Sequence, residues 1–440
     1  MPGIAWSILT QDSRRHARIR RRIRPRILKF IQGQHTRLAM VLDETDHDRL
    51  RREGRCLFIV FKRPHRVLST CRVNGGLCET LTHLANHQGC EGVAHQVHAL
   101  DAGTHGRVAA HGRACAEAGL PPESTALMST AANMQCAALA RLSAEELHVR
   151  VAATAGVLGN ATRAGDPAGW HEEAETSRPV TNRPRSELGS DLGSGPGSDP
   201  ESSLTPDHRG CGTIVTLVSI NQPCTPACLV RAATMVTEAK STAVLDLRIP
   251  SRQGVGLATG TGTDQLAIAA PLPRPGEWER QWAGGHNSLG ELLARATHAA
   301  VTRALLLQNG LCAELRRNLC AALGRFGCDE SLLETCARRT LDDAGAELFV
   351  ANLVALIHDP RGAAAAYALA EVLELVRVGV LHREIAGEAV LDQAALLAAA
   401  IATKPERYAL LRDQLMPDLH RPAGEFAALA VVRGFACKWS

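Results

Sequence analysis

The chain has 440 residues, 45% of them hydrophobic and 21% charged, an ordinary globular composition with length enough for two domains. Aromatics make up only 3%, so the cores must be built from Ala, Leu and Val, and no run of about 18 apolar residues marks a membrane span. The formal charge of +4 is local: residues 14 to 29 hold eight arginines and Lys29 without one acid, which leaves the remainder net acidic.

In chain order, residues 1 to about 50 read as an arm, basic first and then a short polar helix. A basic block of this kind is usually a solvated tail, and the lack of interleaved aromatics weighs against nucleic-acid stacking. No signal-peptide order of charge, apolar run and small residues is present, so a cytoplasmic protein is the default expectation. The body opens with a strand, Cys56 to Phe61, and a second at Arg66 to Cys71 leads into the turn signal Asn74-Gly75-Gly76. Further strands are expected at Ala126 to Ala132 and at Leu147 to Ala153, where Leu147, Val149, Val151 and Ala153 alternate with more polar neighbours. Residues 176 to 208 are crowded with Ser, Gly, Pro and Asp and hold four apolar residues, too few to offset the entropy of ordering, so disorder is expected there.

Beyond that segment the pattern reads strand, helix, strand, helix. Thr213 to Ser219 is a strand, and Thr225-Pro226 supplies a hydroxyl cap with proline at the first helical position. Leu257 to Ala269 carries a Gly/Thr loop into an apolar strand, and Ser288 to Glu291 reads as a capping box over a stripe of Leu289, Leu292, Leu293 and Ala296. From about residue 311 to the end, Ala/Leu-rich helical periodicity dominates. The fold class expected is therefore α/β (α+β), a layered mixed sheet flanked by helices, followed by an all-helical C-terminal domain over 311–440.

Several features could carry chemistry. Fourteen cysteines include Cys312, Cys320, Cys328 and Cys336 at a period of eight, and Cys224 with Cys228. Neither spacing is a zinc or iron–sulfur knuckle, so buried structural thiols and no metal site are expected. The loop Thr259-Gly260-Thr261-Gly262-Thr263-Asp264 lacks the third glycine of a dinucleotide fingerprint and the lysine of a phosphate loop. Its backbone N–H groups either form an oxyanion hole or close a tight turn. Asp264 shares a face with Leu266 and Ile268, where a carboxylate acts as a base or nucleophile or bonds the Gly/Thr backbone. Lys240 falls on the apolar stripe between Val236 and Ala243, which snorkelling explains as well as function does. Glu238 lies about 200° round the same helix and cannot pair with it. His286, between Gly284-Gly285 and the next helix, suits a neutral proton acceptor, though a lone loop histidine is more often structural or solvated.

Several segments together resemble the adenosylcobinamide amidohydrolase family. They are Val67-Leu-Ser-Thr70 with Asn74-Gly75-Gly76, Leu127 to Ala132, Thr154 to Val157 with Asn160-Ala161 and Arg163 to Asp166, Gly212-Thr-Ile214, Thr237-Glu-Ala-Lys240, Ala258 to Asp264, and Ala283 to His286 with Leu289-Gly-Glu291. They span roughly residues 56 to 308 in the family's order, which places the 176–208 segment inside one domain over 51–310. The sequence departs at Val215, Trp282 and Asn287, where Asn, Tyr and Thr are expected.

The resemblance implies a corrinoid salvage enzyme that cleaves the aminopropanol amide of adenosylcobinamide to give adenosylcobyric acid. A non-catalytic corrinoid-binding or delivery module is the alternative. It implies a small-molecule corrinoid partner and no required cofactor, cobalt arriving with the substrate; neither membrane nor nucleic acid is expected, and a homo-oligomer is compatible with it. Asp264, His286, Lys240 and Glu238 are the catalytic candidates. Asn74, Gly75, Gly76, Asn160 and Thr259 to Thr263 are the substrate-binding ones.

Overall fold

The computed structural model describes residues 40–89, 104–172, 177–180 and 212–439. The basic arm lies outside them. From Met40 onward the short polar helix expected at its end is replaced by strands, β1 (Met40–Glu44) and β2 (Asp48–Glu53), paired as an antiparallel hairpin. The local reason is a period of two: Asp48 and Leu50 are buried while Arg49 and Arg51 are half-buried.

Then come β3 (Cys56–Phe61), β4 (His65–Ser69), β5 (Gly76–Cys78) and β6 (His83–Gln88). Asn74 and Gly76 both take positive φ in the turn between β4 and β5, as the Asn-Gly-Gly signal requires. Helix α1 (Thr104–Ala118) leads to β7 (Thr125–Thr130), β8 (Ala138–Ala144) and β9 (Leu147–Ala155). Two short ribbons follow, from β10 (Ala161–Thr162), β11 (Trp170–Glu172) and β12 (Ser177–Pro179), β12 pairing with β11. Residues 181–211, most of the segment expected to be disordered, lie outside the described residues. After them β13 (Ile214–Ile220) returns to pair with β9, Ile214 opposite Ala155. Helix α2 (Pro226–Asp246), capped by the Thr225 side chain on Cys228 N, leads to β14 (Gly260–Thr261), which pairs with β10, and to β15 (Gln265–Pro271).

Helix α3 (Ser288–Asn309) closes this region, and its cap differs from expectation. Asn287, not Ser288, is the N-cap, accepting from Leu289 N at 2.9 Å, while Glu291 turns outward to Arg295. Asn caps as well as Thr does, so the departure from the family at 287 keeps the helix start.

Five strands form one sheet in the order β1-β2-β3-β6-β7, and six form another, β5-β4-β15-β13-β9-β8. Each contains one parallel pair, β6 with β7 and β13 with β15, joined through a helix because parallel neighbours need a crossover. Strand alternation then sets four layers. Leu57, Ile59, Leu84 and Met128 of the first sheet meet Val67, Val215, Leu217 and Ala267 of the second. Phe58 and Ala85 face α1, and Ile214, Val218 and Ile268 face α2 and α3. The region is an α–β–β–α sandwich.

The C-terminal region is helical, as expected: α4 (Leu319–Leu323), α5 (Glu330–Thr340), α6 (Asp343–Ile357), α7 (Pro360–Arg377), α8 (Arg383–Ala402), α9 (Tyr408–Leu415) and α10 (Ala423–Trp439). Its core has few aromatics, but Phe349 and Phe435 meet edge to face at 5.0 Å. Within α8, Glu384–Ala402 is long and apolar enough to cross a membrane; here Leu391, Ala394, Leu397 and Ala398 are buried in this core. The eight-spaced cysteines fall on different elements. Burial pushes the Cys320 thiol up to about 12 and raises Cys328 and Cys336, leaving protonated, unreactive thiols. Among the described residues no His/Cys/Asp/Glu group could hold a metal ion.

Candidate functional site

One end of the sandwich gathers the ends of several strands. There β9 finishes against the start of β13, and β4 finishes against the start of β15. Gln265 Nε2 spans the two sheets to the Ser129 carbonyl on β7 at 3.1 Å. The Gly/Thr loop lies here because it joins β14 to β15, and its last residue, Asp264, is on the helix-facing side of the β15 register.

Asp264 and Lys240 therefore meet. Lys240 Nζ donates to Asp264 Oδ2 at 2.6 Å, with both side chains 15% exposed. Lys240 is not snorkelling: its charge is partnered where α2 crosses the start of β15. Three further donors reach the same carboxylate: Thr261 N to Oδ2 at 3.0 Å, Thr261 Oγ1 to Oδ1 at 2.6 Å, and Ile214 N to Oδ1 at 3.0 Å. Such charge-assisted bonds are the strong ones, and together they fix the carboxylate plane. Gly260 is required for space, not for its φ. A Cβ there would collide with Asp264 Oδ2 and Lys240 Nζ.

A second layer holds the loop. Thr263 and Thr213 hydroxyls share a hydrogen bond at 2.7 Å, and Asn160 Nδ2 donates to Gly212 O at 3.0 Å and to Thr263 Oγ1 at 3.3 Å. Thr259 Oγ1 accepts from Ala164 N at 2.9 Å. Gly262, at the tip, is exposed.

Part of the loop backbone closes the turn on itself, the second of the two readings of its N–H groups. Thr261 N–H is spent on Asp264, and Thr263 N–H points to Thr261 Oγ1 at 3.3 Å. Two of the four backbone donors of Gly260 to Thr263 thus serve the loop itself, and the Lys240 ammonium adds a charged donor to the cluster.

The other candidates lie elsewhere. Glu238 is 59% exposed and pairs with Arg231 at 3.3 Å. Arg231 stands nine residues before Lys240, on the opposite flank of a helix turning about 100° per residue. Trp282 covers Arg231, and Gly285 packs against Met235, so exposed His286 belongs to that far flank. Among the described residues no hydrogen bond or ion pair joins His286 to Asp264 or Lys240. Asn74 stitches its turn to the start of β7, donating to Pro122 O at 2.8 Å and Thr125 O at 2.9 Å. Gly75 allows that turn to close, since a Cβ would strike the Cys71 carbonyl, and Gly76 supplies the positive φ.

Sequence reasoning gave Thr213, Ile214 and the Arg163–Asp166 turn no role. The Gly212-Thr-Ile and Arg-Ala-Gly-Asp runs were the available signal, but nothing in one dimension places them beside Asp264. A cavity of about 330 Å³ lined by Arg72, Val73, Arg107, Val108 and Glu172 shares no residue with the cluster.

A family model described as adenosylcobinamide amidohydrolase matches residues 41–313, from β1 past the end of α3. An uncharacterized protein of Methanocaldococcus jannaschii is 30% identical over 196 residues, covering 43% of this chain and 66% of that protein, just under two thirds of its length. All the residues of the Asp264 cluster fall inside the family match.

Proposed function

Because the chain belongs to the adenosylcobinamide amidohydrolase family, we propose that it hydrolyses the amide joining aminopropanol to the corrin ring of adenosylcobinamide, releasing adenosylcobyric acid for coenzyme biosynthesis. The observation that carries this reading is the Thr261–Asp264–Lys240 constellation on an open glycine loop. Amide hydrolysis needs an activated nucleophile, a charge facing the tetrahedral oxyanion, and a proton for the leaving amine. The Thr261 hydroxyl already points its proton at Asp264 Oδ1. Lys240 has ammonium protons beyond the one given to Asp264.

In this scheme Thr261 Oγ1 attacks the carbonyl carbon and its proton passes to Asp264. The oxyanion faces Lys240 Nζ. Collapse breaks the C–N bond, the amine leaving with the proton held by Asp264, and an ester to Thr261 remains. Water repeats the sequence on that ester, giving the acid and restoring the threonine. The loop tip is exposed, which suits a large corrinoid presenting one edge amide.

The test is incubation of the protein with adenosylcobinamide, following aminopropanol and adenosylcobyric acid. Wild type releases both; Thr261→Ala loses release and Thr261→Ser retains part of it. Unchanged release by Thr261→Ala would assign the attack to water, and corrinoid binding without release from wild type would make the chain a carrier.

A further inference from the structure

The helical region lies beyond the family match, yet it touches the chain at two points between Lys240 and Asp264. Arg316, in the turn before α4, donates from Nη1 to Asp246 O at 2.9 Å, the last residue of the helix that carries Lys240. Its guanidinium also lies over the Tyr367 ring of α7, 5.8 Å from the centroid. Arg325, after α4, donates from Nη1 to Val255 O at 3.1 Å. It is anchored in its own region by Glu374 of α7 at 2.6 Å and by the Phe326 ring at 4.4 Å.

Val255 is the tip of a finger. Residues 250–257 fold back on themselves, Pro250 bridging to Leu257 and Ser251 N donating to Gly256 O at 2.9 Å. The finger is bonded to the turn that precedes the site. Ser251 Oγ donates to Asp166 Oδ2 at 2.5 Å, Arg252 N to Ala161 O at 2.8 Å, and Arg163 Nη1 to Leu257 O at 3.1 Å. Gly256 leaves room for the Arg163 side chain, which a Cβ would meet at 2.8 Å. Three residues past Leu257 the chain enters β14 as Gly260-Thr261.

We propose that the C-terminal helical region is a brace for the active loop, with Arg316 and Arg325 as positioning residues that hold α2 and the 250–257 finger in register so that Lys240 meets Asp264. Neither arginine touches the cluster. Each acts through a backbone carbonyl, Arg316 on the helix that carries Lys240 and Arg325 on the finger that leads into the Asp264 loop. The catalytic meaning of the brace rests on the function proposed above; its mechanical meaning does not.

The experiment uses the full chain with Arg316→Ala, Arg325→Ala, both together, and Arg325→Lys, reading backbone hydrogen exchange and amide release. The double variant is expected to exchange about tenfold faster over residues 250–264, as for opening of a local unit, while α8 and α10 keep their protection. Its kcat falls about 10–100-fold with little change in KM, the signature of a misplaced group rather than a lost binding contact. Arg325→Lys restores part of both, because an ammonium still reaches one carbonyl. Glu374→Gln, which frees the anchor without removing Arg325, moves the same peptides less. Unchanged exchange over 250–264 overturns the brace, whatever the activity. Faster exchange in a protein whose wild type releases no aminopropanol keeps the brace and overturns the proposed reaction instead.

Discussion

Two of the charged clusters among the described residues are withdrawn from bulk water in different surroundings. Between the sheets, Arg150 on β9 faces Asp43 at 3.1 Å and Asp48 at 2.7 Å, the latter an ionic contact without hydrogen-bond alignment. Ser219 also bonds Asp48, and the three charged side chains are 5% exposed or less. At the sandwich end, Lys240 and Asp264 are joined as tightly but sit under an open loop of glycines and hydroxyls. Burial of charge therefore does not by itself mark a working site. The sealed cluster ties β1 and β2 to the second sheet; removing Arg150 leaves Asp48 buried without a cation, while Asp43 keeps Arg141. In the reaction proposed above, the open cluster supplies a hydroxyl and a cation to the substrate.

Substitutions can separate these roles. Asp264→Asn should lower amide release per folded molecule by about 10³-fold, since it removes the acceptor of the Thr261 proton and the partner of Lys240. Full activity in this variant would sink the assignment. Gly260→Ala, which drives a methyl into the ion pair, should follow it in direction. Arg150→Ala should do the reverse: a loss of about 3–5 kcal/mol in denaturant unfolding, with kcat per folded molecule unchanged.

His65 sharpens the contrast between the layers. It is fully buried near the sealed cluster, stacked on Phe61 at 4.1 Å, and burial holds its pKa down at about 4. The unfolded chain takes up a proton below about 6.5 while the folded chain does not until about 4. Stability is therefore full at neutral pH and falls by about 3 kcal/mol as the pH drops between those values. Urea melts at pH 7 and 4.5 should show that loss in wild type and a much smaller one in His65→Leu; equal slopes would remove His65 as the cause. The smallest effect is expected outside both clusters. Asn287→Ala should cost about 1 kcal/mol by uncapping α3, with no change in amide release, because His286 and its loop lie on the far flank of α2.

Much of the architecture was legible because it is written in local periods. The strand at Cys56–Phe61, the Thr225-Pro226 helix start and the helical C-terminal region follow from alternation, capping residues and apolar spacing. The hairpin at 40–53 was missed because its charged residues hide the alternation: Asp48 occupies a core position and is tolerated there only by its partners. The capping box failed by one residue, since Asn and Ser are both competent caps and only the backbone chooses between them.

What the sequence by itself determined is the family, the mixed-sheet and helical make-up, and the loop from Thr259 to Asp264 as an unusual feature. Those rest on residue order and short-range geometry. The tertiary structure alone decided that Lys240 pairs with Asp264, that Glu238 and Asn74 bond other partners, and that the helical region grips two points of the chain between the pair. Lys240 and Asp264 are 24 residues apart, and Arg325 and Val255 are 70. A parallel crossover brings the first two together and the docking of the helical region brings the second two. Neither distance is encoded in any local pattern of side chains.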